Sequence, residues 1–74
     1  MNEANKADLI EHLSKLEYAI RQSMTVREDQ DEPANPGHKD EAECYGITVD
    51  SEVTKGDLLN AVQTLVRATQ KNRN

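Results

Sequence analysis

Asn5-Lys6-Ala7-Asp8-Leu9-Ile10, near the start of the chain, is echoed 49 residues later by Thr54-Lys55-Gly56-Asp57-Leu58-Leu59. The echo continues with Leu13 and Val62, Leu16 and Leu65, and Ala19 and Ala68. Each copy places a residue able to cap a helix before an acid and an apolar stripe of helical spacing. The pattern predicts a mainly α fold of two amphipathic helices, about 5–24 and 54–71, joined by a long acidic disordered loop. Both helices need a cap and a stripe, and that shared need explains the resemblance without a duplication.

In the first helix, Leu9, Leu13, Leu16 and Ile20 recur at spacings of four, three and four, and Ile10 and Met24 widen the stripe. Asn5 is the expected N-cap, with Asp8 reaching back from the first turn. Glu11–Lys15 and Glu17–Arg21 are acid-before-base pairs four residues apart, the favourable order on a helix. In the second helix, Thr54-Lys55-Gly56-Asp57 has the Thr-x-x-acid form of a helix start, and Leu58, Leu59, Val62, Leu65 and Val66 form the stripe. Lys71 and Arg73 fall at its C-terminal end, where cations suit the helix dipole.

Between the helices, residues 28–44 contain two prolines, a Pro36-Gly37 turn signal and no large apolar side chain. That composition reads as a flexible acidic loop within a single small domain spanning 1–74. Two β-prone tetrapeptides flank it, Met24-Thr25-Val26-Arg27 and Ile47-Thr48-Val49-Asp50. They would allow a short two-stranded ribbon, 24–27 with 46–50, giving an α-β-β-α order with Gly46 turning the chain into the second strand.

The 74 residues include only 17 large apolar or tyrosine side chains after Met1, with no Trp and no Phe, so the core is small. A small core favours an oligomer, partial disorder or stabilisation by a partner. The single cysteine, Cys44, excludes an internal disulfide framework and fits a reducing compartment. No leader-like or membrane-spanning apolar run is present, and the expected location is the cytoplasm. The net charge of −5 is unevenly placed. Residues 1–27 are neutral, residues 28–45 carry seven acids and one base, and residues 46–74 sum to +1. An acidic connector disfavours contact with phosphate backbones and suits a basic groove on another protein.

Tests for chemistry give bland answers. A calcium loop starting at Asp29 would need Gly and Glu at its sixth and twelfth positions, which hold Ala34 and Asp40. A zinc site would have only His38 and Cys44 beyond carboxylates. No nucleophile and base are held together by any motif, and Gly37, Gly46 and Gly56 are scattered rather than clustered in a phosphate loop. The chain is therefore read as a non-enzyme with no cofactor and no metal. His12 beside the stripe is read as a boundary residue packing its ring on a neighbour, and Tyr18 as an edge-of-core residue.

The expected function is that of a small acidic regulatory or inhibitory protein that binds a larger host or cellular protein. A nucleic-acid-processing or transcription enzyme with a basic groove is the type of target, by analogy with compact phage and plasmid regulators. Contact is expected through an apolar helix face (Leu9, Leu13, Leu16, Ile20), through a strand edge with its neighbouring tyrosine (Tyr45, Ile47, Val49), and through loop carboxylates (Asp29, Asp31, Glu32, Asp40, Glu41, Glu43). The alternative is a structural homodimer in which two helix pairs form a four-helix bundle. Nucleic acid and membrane are not expected partners; Arg67, Lys71, Arg73 and Lys55 make only a weak basic face.

Overall fold

The computed structural model describes residues 3–71 and, from Lys6 onward, their side chains. Helix α1 runs Glu3–Gln22, α2 runs Pro36–Cys44 and α3 runs Lys55–Lys71, with a 3-10 turn at Arg27–Asp31. The protein is mainly helical, as the two periodic stripes predict. α1 and α3 pack on each other, and the segment between them folds back over the pair as a third layer. Leu13, Leu16 and Ile20 from α1 and Leu58 and Val62 from α3 form the buried core, closed by Ala34 and Ala42 from the connecting segment.

Boundaries differ from expectation at the first helix. α1 already includes Glu3 and Ala4, so Asn5 sits inside the helix rather than capping it, and its side chain lies outside the described residues. α1 stops at Gln22, two residues early. Ser23 and Met24 close it with N–H donations back to Ala19, Ile20 and Arg21 carbonyls, and the Ser23 hydroxyl donates to the Ile20 carbonyl at 2.6 Å. Of the two expected ion pairs, Glu17–Arg21 closes at 2.8 Å. The start of α3 follows its signal, with the Thr54 hydroxyl accepting the Asp57 N–H at 3.1 Å. Thr64 and Thr69 donate their hydroxyls to the Asn60 and Leu65 carbonyls, which satisfies these β-branched polar residues within the helix.

The expected disordered loop is corrected by the structure. Residues 28–44 hold most of the 3-10 turn and all of α2. Pro36 occupies the opening position of α2, where a missing N–H costs nothing, and the Asn35 carbonyl accepts the Lys39 N–H at 3.0 Å. The other end is a Schellman closure. Gly46 adopts φ 87°, its N–H donates to the Glu43 carbonyl, and the Ile47 N–H donates to the Ala42 carbonyl. A nine-residue helix of this composition does not hold itself together in water, so docking of Ala42, Tyr45 and Ile47 on the core supports it.

The expected ribbon does not form, and no strand is present among the described residues. The backbone donors of Thr25 and Val26, which a ladder would need, both go to Asp29 Oδ2, at 2.7 and 3.1 Å. Ile47 and Val49 instead run as irregular chain, half-buried against the core. An isolated β-bridge lies elsewhere, between Pro33 and Thr54. There the Ala34 N–H donates to the Val53 carbonyl at 3.0 Å and the Lys55 N–H to the Glu32 carbonyl at 2.8 Å. Gly46, expected to turn the chain into a strand, ends a helix.

Candidate protein-binding face

The residues expected to contact a partner divide into three groups. Leu13, Leu16 and Ile20 are buried in the protein's own core, with Leu9 half-buried beside them. The apolar stripe of α1 is thus occupied by α3 and the connecting segment, and it offers no open helix face. Tyr45, Ile47 and Val49 are half-buried and pack on the same core. The carboxylates form the third group, and they split again by what they touch.

Asp29 and Glu32 act within the fold. Asp29 Oδ2 accepts the Thr25 and Val26 N–H groups and the Thr25 hydroxyl at 3.0 Å. This is the backward half of a capping box at the 3-10 turn. The hydrogen bonds from Val26 and Thr25 hold the carboxyl below its ordinary value of 3.8, with a smaller contribution from the Lys55 charge. Glu32 Oε1 lies 3.0 Å from Lys55 Nζ, and that ammonium also donates to the Ser23 carbonyl at 3.0 Å.

Lys55 is the functional surprise of the local geometry. A cation in the first turn of α3 is unfavourable for that helix's own dipole. Its side chain, however, is 12% exposed and reaches the C-terminal end of α1, where a cation is favoured. One ammonium therefore joins α1, α3 and the connecting segment. Sequence reading misses this because its partners lie 32 and 23 residues away, and no local spacing marks them.

Asp31, Asp40, Glu41 and Glu43 are exposed, as is Glu28. Together with Glu32, which stays 55% exposed while it pairs with Lys55, they place six carboxylates in solvent along the 3-10 turn and α2. Among the described residues, two large hydrophobic side chains are also open to solvent, Tyr18 at 64% and Val26 at 57%. Tyr18 is therefore not the edge-of-core residue expected. His12 does what its boundary position suggests: its ring stacks on Tyr45 with centroids 6.3 Å apart and planes 17° from parallel. That stack docks the end of α2 on α1.

Among the described residues no group of three or more His, Cys, Asp or Glu side chains is placed to hold a metal ion. His38 and Cys44 are six positions apart on α2, about 9 Å of helical rise, too far to share one cation. Cys44 is exposed and free. His38 Nδ1 is enclosed without a hydrogen-bond partner, an arrangement suited by the tautomer carrying its proton on Nε2. A shallow groove between the 3-10 turn and α3 is lined by Gln30, Asp31, Thr54, Asp57, Asn60 and Gln63 around Leu59. No described helix is long and apolar enough to cross a membrane.

No protein-family model, no characterised protein and no solved structure matches this chain.

Proposed function

We propose that this chain is a small, non-enzymatic regulatory or inhibitory protein that binds a larger protein through the outward carboxylates of the 3-10 turn and α2. The supporting observation is the division of labour among the seven acids of residues 28–45. Asp29 caps the 3-10 turn and Glu32, itself exposed, pairs with Lys55 at the start of α3, while Glu28, Asp31, Asp40, Glu41 and Glu43 face solvent. A like-charged row raises the electrostatic cost of the folded segment. A basic groove on a partner removes that cost and gains complementary contacts, which set specificity and association rate. The Leu-rich face of α1 is not part of this surface, because the core already occupies it.

The test is capture of binding partners by the wild-type protein and by a variant carrying Asp31→Asn, Asp40→Asn, Glu41→Gln and Glu43→Gln. The expected result is loss of the captured set with the neutralised variant, together with weaker wild-type capture at high salt. Capture that is unchanged by both treatments contradicts the proposal. The four-helix homodimer is a weaker reading, since it needs the α1 stripe that this fold buries within one chain.

A further inference from the structure

The segment from the 3-10 turn through α2 and the α1–α3 pair are held together by different kinds of contact. The pair contributes Leu13, Leu16, Ile20, Leu58 and Val62 to the buried core, while the segment contributes the small side chains of Ala34 and Ala42, with Tyr45 and Ile47 half-buried against it. The rest of what binds the segment down is a small set of polar and ring contacts. Two backbone hydrogen bonds cross at Pro33 and Thr54, the Lys55 ammonium grips Glu32, and Tyr45 stacks on His12. The segment is also the most highly charged part of the chain, and the short helix it contains does not hold itself together in isolation.

We infer that residues 27–47 form an acidic strap that opens from the α1–α3 pair as one unit, while the pair stays folded, and that Lys55 is its latch. Cooperative units of this kind open at a lower free energy than the whole molecule when they share few apolar contacts with the rest. The bridge fastens residues 32–34 to the start of α3, and the Schellman closure holds the end of α2 on Tyr45 and Ile47, so release of the strap breaks both sets of bonds. Opening moves the exposed carboxylates away from the helix pair and uncovers the Ala34 and Ala42 side of the core. This holds with or without a partner for the carboxylates.

Native-state hydrogen exchange by NMR on the whole chain tests the strap directly. The probes are the Ala34, Tyr45, Gly46 and Ile47 N–H groups, each bonded to a backbone carbonyl within the strap or at its bridge to Val53, compared with amides of Leu13, Leu16 and Val62. The strap amides are expected to exchange at a lower and common free energy, with a smaller denaturant slope than the helix amides. Val66→Ala is expected to speed exchange of the helix amides and leave the strap rates within twofold, because both closed and strap-open forms lose the same contact. Lys55→Met, which keeps the apolar stem and removes the ammonium, is expected to speed strap exchange about tenfold, the size of a lost hydrogen bond to a charged group. Equal free energies and slopes for both sets of amides overturn the separate unit. Strap rates that rise in step with the helix rates in Val66→Ala overturn it as well. Strap rates unchanged in Lys55→Met overturn the latch.

Discussion

Asp29 shows how much one side chain can decide in so small a fold. By accepting from Thr25 and Val26 it turns the chain at the end of α1 and removes the donors a ribbon would have used. Its carboxyl is lowered from 3.8 by those bonds, so the charged form is the one the fold favours. A lowered value means that its stabilising effect is present above 3.8 and is lost as pH falls through the folded value. Carbon-detected NMR titration is expected to place the Asp29 midpoint below 3.8, and Asp29→Asn is expected to flatten the acid limb of the stability curve. Gly56 carries a second decision. A Cβ there would lie 3.1 Å from the Gln30 Cβ and 3.2 Å from its carbonyl oxygen, so the missing side chain lets the 3-10 turn approach α3. In an open helix Gly→Ala gains about 1 kcal/mol. Gly56→Ala is expected to gain much less or to destabilise in denaturant melts, and to recover the gain when Asp29→Ala also frees the turn.

At the scale of elements, α1 and α3 are legible in the sequence because their stripes recur at helical spacing over about three and about two and a half turns, and Thr54 announces the second. α2 is not legible by periodicity, since Ala42 is its only buried residue. Its ends nevertheless carried a readable signal: Pro36 just inside the start and Gly46 just past the end are the asymmetric punctuation of a short helix. The acidic composition reads against that punctuation, and the β-prone Thr25-Val26 and Thr48-Val49 pairs read as strands, although the Thr25 and Val26 donors go to Asp29. Of the candidate site, the exposed carboxylates were legible from charge alone. The internal roles of Asp29, Glu32 and Lys55 depend on approaches that only the folded chain creates. Gly46 gives the element-scale test. At φ 87° a side chain is strained, so Gly46→Ala is expected to cost about 1 kcal/mol. The loss should fall on the helical NMR shifts of 36–44 before those of α1.

For the molecule as a whole, one chain buries both stripes, with a third layer supplied by the segment that joins them. A core of seven buried residues among those described leaves little reserve. Ile20→Ala is expected to cost about 2–5 kcal/mol by cavity formation, enough to unfold much of the population in thermal melts. Self-contained burial also predicts a monomer of 8.3 kDa by light scattering.

The central structural claim is that the acidic segment is a docked helical strap that presents its carboxylates outward. It is tested most directly by Cα chemical shifts over residues 36–44, read together with a nuclear Overhauser contact between the His12 and Tyr45 rings. Helical shifts with that ring contact are the expected result. Random-coil shifts across 36–44 and no contact between the rings would contradict it.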